Sequence, residues 1–242
     1  MKVLKAIAWA LPVLLSWSAG AAGAAETALG VDDVVARARA VMAKKPEHTV
    51  CSLRIESAML DKAGKVEHED QRDTRATLHG SDEEVVTERA WRDGKPLTPQ
   101  QLADEKKQAD KEREKHKRGQ DVELSPLAAK NAAEERFDLV RQETLWGRPA
   151  YVLRVKAVPK DDKNAALANG TLWIDAESFV ELKGELEPAR MPPHADWVKI
   201  QQQFTLGTGG VPLPSFLHIE GAGHLLFVKK QFKSTLRWSD CR

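Results

Sequence analysis

Hydrophobic positions along the chain alternate between two periods, and the changes of period divide it into elements. Val31, Val34, Val35, Ala38, Val41 and Met42 recur at helical spacing, with Asp32, Asp33, Arg37 and Arg39 assigned to the other face. An amphipathic helix is therefore predicted, ending at Lys44-Lys45-Pro46. From Thr49 to Leu60 the period is two: Cys51, Leu53, Ile55 and Met59 point one way, and Ser52, Arg54 and Glu56 the other, as in a half-buried strand. Asp61 to Lys65 reads as a turn and Val66 to Leu78 as the return strand. Its even positions, including His68, Asp70, Arg72 and Thr74, are unusually polar for a core face, so this strand either forms an edge or lines a wet groove. Glu84 to Trp91 reads as a third strand stopped by Asp93-Gly94, a strong hairpin signal.

The composition then shifts. Thr98-Pro99-Gln100-Gln101 matches a capping box with Pro in the first helical position, and the mostly charged stretch that follows to Arg118 is ended by Gly119. This charged helical insertion, residues 98–119, can bury little; it is either a solvated excursion between strands or a binding arm. A short Ala-rich helix is predicted from Ser125-Pro126 to about Ala133. Period two returns with Phe137, Leu139 and Arg141, turns at Trp146 to Pro149, and comes back through Tyr151, Leu153 and Val155. Thr171 to Asp175 and Phe179 to Leu186 form the next hairpin. Val198 to Leu206, a turn at Gly207 to Gly210, Leu213 to Glu220, a turn at Gly221-Ala222-Gly223, and Leu225 to Trp238 complete the pattern. Successive hairpins argue an up-and-down antiparallel sheet, and a sheet of about ten strands tends to curl. The fold expected is mainly β (α+β): a curved antiparallel sheet forming an incomplete β-barrel, covered by an N-terminal helix and short helical insertions.

The start of the chain changes the picture of where this domain works. Lys2 and Lys5 precede an apolar run from Ala6 to Trp17, too short to span a bilayer, and small residues follow from Ser18 to Ala25. Residues 1–25 are thus expected to be a cleaved secretory signal peptide and residues 26–242 a single, soluble, monomeric periplasmic domain. No Cys follows the small residues, so a lipid anchor on a new N-terminal Cys is not expected. Without Lys2 and Lys5 the basic count falls from 37 to 35 against 36 acidic residues, and this near-neutral balance gives no electrostatic case for nucleic acid. Cys51 and Cys241 form an even pair in an oxidising compartment, which favours a disulfide, with two free buried thiols as the alternative. A bridge would bring the first strand and residue 241 together.

Catalytic chemistry finds little to stand on. The seven His residues (48, 68, 79, 116, 194, 218 and 224) are scattered, and His68-Glu69-Asp70 and His218-Ile219-Glu220 lack the second His or Cys pair of a zinc site. No G-x-S-x-G elbow is present, and neither Cys has a His neighbour. Gly207 to Gly210 joins two strands and opens no helix, so it is read as a turn and not a phosphate cradle. The chain is expected not to be an enzyme and to need no cofactor or metal. His68, Asp70 and Arg72 converging in a deep pocket would reopen that question.

The run Gly170-Thr171-Leu172-Trp173-Ile174-Asp175, then Phe179-Val180 and Gly221 to Phe227, resembles the bacterial outer-membrane lipoprotein-sorting superfamily. The hairpin at Trp146 to Tyr151 and the segment Leu124 to Leu127 fit the same pattern, and the likeness covers about Val31 to Trp238. The resemblance implies an open half-barrel with a hydrophobic cavity for acyl chains and an inward arginine, for which Arg72 is the candidate. The function expected is a periplasmic carrier of lipoprotein acyl chains or another lipophilic ligand, held non-covalently. From the alternation, Leu53, Ile55, Met59, Leu139, Leu153, Leu172 and Ile174 would line the cavity, with Tyr151 and Arg72 as polar handles. A one-residue register error would invert any of these faces. The alternative is an envelope-sensing module that binds a membrane-protein partner, with the 98–118 helix as its docking arm.

Overall fold

The computed structural model describes residues 29–80, 82–116, 125–128, 132–159, 167–225 and 228–242. The expected signal peptide lies outside the described residues. Two helices, Val31–Met42 (α1) and Pro99–His116 (α2), accompany eleven strands. The strands are Thr49–Leu60 (β1), Val66–His79 (β2), Asp82–Arg92 (β3), Lys95–Pro96 (β4), Glu135–Leu145 (β5), Arg148–Ala157 (β6), Ala168–Asp175 (β7), Glu181–Pro188 (β8), Ala195–Leu206 (β9), Pro212–Leu225 (β10) and Val228–Ser239 (β11). All belong to one antiparallel sheet in the order β4-β3-β2-β1-β11-β10-β9-β8-β7-β6-β5, which does not close. Every neighbour is joined by a hairpin or short loop except β1 and β11, the one long-range pairing, with Ile55 opposite Leu236 and Met59 opposite Phe232.

Packing shows how strongly the sheet bends. Phe137 and Leu139 of β5 and Phe232 of β11 pack against one cluster, together with Val34, Val35 and Ala38 of α1. Six strand intervals separate β5 from β11, about 29 Å in a flat sheet at ~4.8 Å per strand. Only a curled sheet brings both to the same core, so the fold is an incomplete barrel with α1 lying in its concave side. Cys51 and Cys241 are bridged. The same seam is tied by backbone bonds, Val50 N–H to Arg242 C=O at 2.9 Å and Arg242 N–H to Val50 C=O at 3.0 Å.

Local chemistry explains most of the element boundaries. Asp32 and Asp33 lie in the first turn of α1, where acidic side chains suit the helix dipole. The α2 capping box forms as its sequence implies: Gln101 N–H donates to Thr98 Oγ1 at 3.3 Å, and Thr98 N–H to Gln101 Oε1 at 2.8 Å. Asp93-Gly94 and Trp146-Gly147 each hold two successive positive φ values, as two-residue hairpin turns require.

Four expectations are corrected. Gly221-Ala222-Gly223 is not a turn: β10 runs through it to Leu225. Glycine serves close approach there, since a Cβ on Gly221 would lie 2.7 Å from the Phe232 ring and one on Gly223 2.3 Å from His194 O. Residues 125–128 form a turn, closed by Ala128 N–H to Ser125 C=O at 3.0 Å, and the described part of that segment is not helical. The polar strand β2 is no edge, because β3 pairs along its outer side. Arg39 does not point away with Arg37; it is half-buried against β5, having the i+4 place after the buried Val35.

Candidate functional site

The concave side has two halves of different character. Under α1, strands β5 to β9 are sealed: Leu153, Leu172 and Ile174 have 0% exposure, and Tyr151 and Val198 have 8%. Tyr151 stacks on Phe179 with ring centroids 6.4 Å apart, and the Arg37 guanidinium lies 5.1 Å from the Phe179 ring. Leu127, from the 125–128 turn, joins the same cluster.

Beyond α1 the same surface is only partly covered, although Leu217, Ile219 and Phe232 still touch the edge of the α1 cluster. Register places Ile55, Leu236 and Leu217 side by side across β1, β11 and β10, with Met59 beside Phe232 two same-face steps along. Ile219 stands between them, opposite Ser234, which in turn faces Ser57. All six apolar side chains keep part of their surface in solvent, and Met59 is 39% exposed. The six form an apolar strip whose middle row is interrupted on β1 and β11 by Ser57 and Ser234, with hydroxyls 2.9 Å apart, and bridged by Ile219 on β10.

A polar border closes the strip on the β2 side. Arg72 is paired to Glu105 of α2 at 3.2 Å, Arg92 reaches the same carboxylate, and Arg92 Nε donates to Asp70 at 3.1 Å. Glu105 thus fastens α2 over the inner face of β2 and β3. The wet side expected of β2 exists, and its charges are satisfied by a helix the sequence shows only as a solvated or binding segment.

Two carboxylates lie buried on the α1 side. Glu181 has no exposure; its Oε1 accepts from Gln202 Nε2 at 2.7 Å while Oε2 has no partner. Burial pushes its carboxyl up to about 7, against the pull of the Gln202 bond. Glu135, 2% exposed, stands 4.0 Å from Arg39, and neither of its carboxylate oxygens has a hydrogen bond. Burial pushes it up to about 8, with Arg39 opposing. Between the end of α1, the 125–128 turn and the ends of β2, β9 and β10 lies a cavity of about 520 Å³ with Arg39, Gln202 and Phe204 in its wall.

The expected lining residues therefore separate. Ile55 and Met59 lie on the open strip; Leu53, 2% exposed, and the half-buried Leu139 lie on the concave face nearer packed neighbours. Leu153, Leu172, Ile174 and Tyr151 belong to the sealed half, and Arg72 sits on the polar border. His68, Asp70 and Arg72 share a face of β2 without converging: His68 turns to Asp93 at 3.5 Å and its side chain is 71% exposed. Among the described residues no three His, Cys, Asp or Glu side chains group as metal ligands, and no helix is long and apolar enough to cross a membrane. Sequence reading missed Leu217, Ile219, Phe232 and Leu236 as site residues, although their alternation was visible. It also missed Arg39, whose i+4 relation to Val35 was the available signal.

No protein-family model matches this sequence, and neither does any curated protein sequence. Solved structures similar to the chain include one from Vibrio parahaemolyticus named for an outer membrane lipoprotein-sorting protein domain. It is 13% identical, covering 86% of this chain and 90% of that one, with a TM-score of 0.42. A DUF1329 family protein from Desulfovibrio piger is 13% identical over 87% of this chain and 90% of its own, with a TM-score of 0.40. A LolA superfamily protein from Nitrosomonas europaea is 14% identical over 89% and 94%, with a TM-score of 0.37.

Proposed function

We propose that the protein is a non-covalent carrier of lipophilic chains, working in the periplasm and holding the acyl chains of a lipoprotein or another lipid along the strip of β1, β11 and β10. The observation that carries this is the difference in burial on one surface, sealed under α1 and only partly buried at Ile55, Met59, Leu217, Ile219, Phe232 and Leu236. A hydrocarbon chain laid there gains about 25 cal/mol for each Å² of apolar surface taken from water and needs no matching polar group. The border of Arg72, Asp70, Arg92 and Glu105 is paired within itself, so it marks the wet edge of the strip without demanding a charged ligand. A disulfide at the β1–β11 seam fits an oxidising compartment.

The test is retention of lipid. Protein purified from its native host and extracted with organic solvent should yield lipid by mass spectrometry. The pair Ile219→Glu and Leu236→Glu, in protein that circular dichroism shows to be folded, should weaken binding of a neutral pyrene-labelled diacylglycerol at least tenfold. Equal binding by wild type and variant removes the proposal. Deleting residues 98–119 separates it from the partner-binding alternative: loss of a membrane-protein partner with lipid binding intact would favour that alternative.

A further inference from the structure

The cavity at the end of α1 has a chemistry distinct from the strip. Its wall is apolar at Met42, Leu78, Leu127, Phe204 and Pro214, and its rim carries Lys44 and Lys45. Both lysines are exposed, and neither has a carboxylate within 4.0 Å among the described residues. Glu83 is the only acidic residue lining it among the described residues. Arg39 also lines the cavity; its Nε and Nη2 are buried away from solvent without acceptors, and its guanidinium lies 5.4 Å from the Phe137 ring. Its salt-bridge partner Glu135 lies at 4.0 Å, beyond hydrogen-bond reach. An anion in the cavity would be attracted by the Arg39 charge without a hydrogen bond to those two nitrogens. Glu135 does little to neutralise Arg39 at neutral pH, because burial holds its carboxyl up to about 8.

The register connects this cavity to the strip. Gln202, in the cavity wall, lies directly beside Leu217 of β10, and Leu217 beside Leu236 of β11. The volume of about 520 Å³ falls within the range of small-ligand sites, roughly 300–1,000 Å³. We infer that the cavity takes the anionic head, a carboxylate or phosphate, of a single-chain amphiphile, with Arg39, Lys44 and Lys45 as its cationic receptors. The tail leaves past Gln202 onto the apolar strip. This rests on the carrier role proposed above and adds which end of the ligand is recognised and by what charge.

Calorimetric titration with decanoate, decyl phosphate, 1-decanol and inorganic phosphate tests it. Decanoate and decyl phosphate should bind at least tenfold more tightly than 1-decanol or inorganic phosphate. Lys44→Glu with Lys45→Glu, at exposed positions that leave the fold intact, and separately Arg39→Gln, should bring the decanoate-to-decanol ratio below threefold while leaving decanol affinity unchanged. The strip pair Ile219→Glu and Leu236→Glu should weaken all three chain-bearing ligands together. Equal affinity for decanoate and decanol in wild type, or a ratio untouched by the lysine pair, overturns the head-group site and leaves the carrier role standing. Affinities for decanoate, decyl phosphate and decanol that the strip pair leaves unchanged remove the carrier role and keep the site. Inorganic phosphate binding as tightly as decyl phosphate, or no binding by any probe, overturns the site.

Discussion

The two halves of the concave face are built from similar strands and end in opposite states. Under α1 inward residues of β6 and β7 such as Leu153, Leu172 and Ile174 are fully buried, while across β10, β11 and β1 the inward apolar residues Leu217, Ile219, Phe232, Leu236, Ile55 and Met59 are only partly covered. The difference lies in the roof. α1 brings Val34, Val35 and Ala38 down onto the sheet, whereas α2 brings Glu105, which meets arginines and leaves the apolar residues beside them partly uncovered. A strand pattern therefore says which side chains turn inward. What lands on them decides whether they become core or binding surface.

The comparison can be broken at the seam first. Replacing both cysteines, Cys51→Ser with Cys241→Ser, should cost up to about 5 kcal/mol on the chain-entropy model for so long a loop. Hydrogen exchange should show β1 to β4 losing protection before β6 to β9; a loss below about 1 kcal/mol would mean that the β1–β11 ladder holds unaided. In the sealed half, Leu172→Ala should cost about 3 kcal/mol in urea unfolding, while Met59→Ala on the open strip should cost under about 1 kcal/mol. Similar losses at both sites would erase the distinction between core and surface. Glu135 gives a test in pH. Its folded pKa of about 8 lies above the ordinary 4.5, so the folded state binds the proton more tightly, and stability falls as pH rises between those values. Glu135→Gln removes that slope, so its stability relative to wild type should climb by about 2 kcal/mol or more from pH 5 to pH 8. A flat difference in thermal melts would place the carboxyl in contact with water. The smallest effect is expected at the cap of α2: Thr98→Ala should cost about 1 kcal/mol or less, most of it local to α2.

Much of this fold was legible in the sequence because period two and turn chemistry are local signals. α1, the β1–β2 hairpin and the capping box at Thr98 follow directly from spacing. What spacing could not convey is how far apart in sequence two neighbours stand. Gly221 and Gly223 look like a turn until Phe232 and His194 are seen pressing on them. Arg39 looks like a surface residue until Glu135, from a strand almost a hundred positions on, is placed beside it. The site suffered most for the same reason. Alternation predicted the inward sides of Ile55 and Leu172 alike, and only the positions of α1 and α2 send one to the solvent and the other to the core.

The pairing of β1 with β11 also constrains how the molecule can be made. Strands β1 to β4 have hairpin partners of their own, but they join the remainder of the sheet only through residues 228–239. A nascent chain halted before Val228 would carry two bare sheet edges, on β1 and β10, each a template for pairing with other molecules. Closure of the β1–β11 seam therefore waits until residues 228–239 are available, and both edges stay unpaired until then.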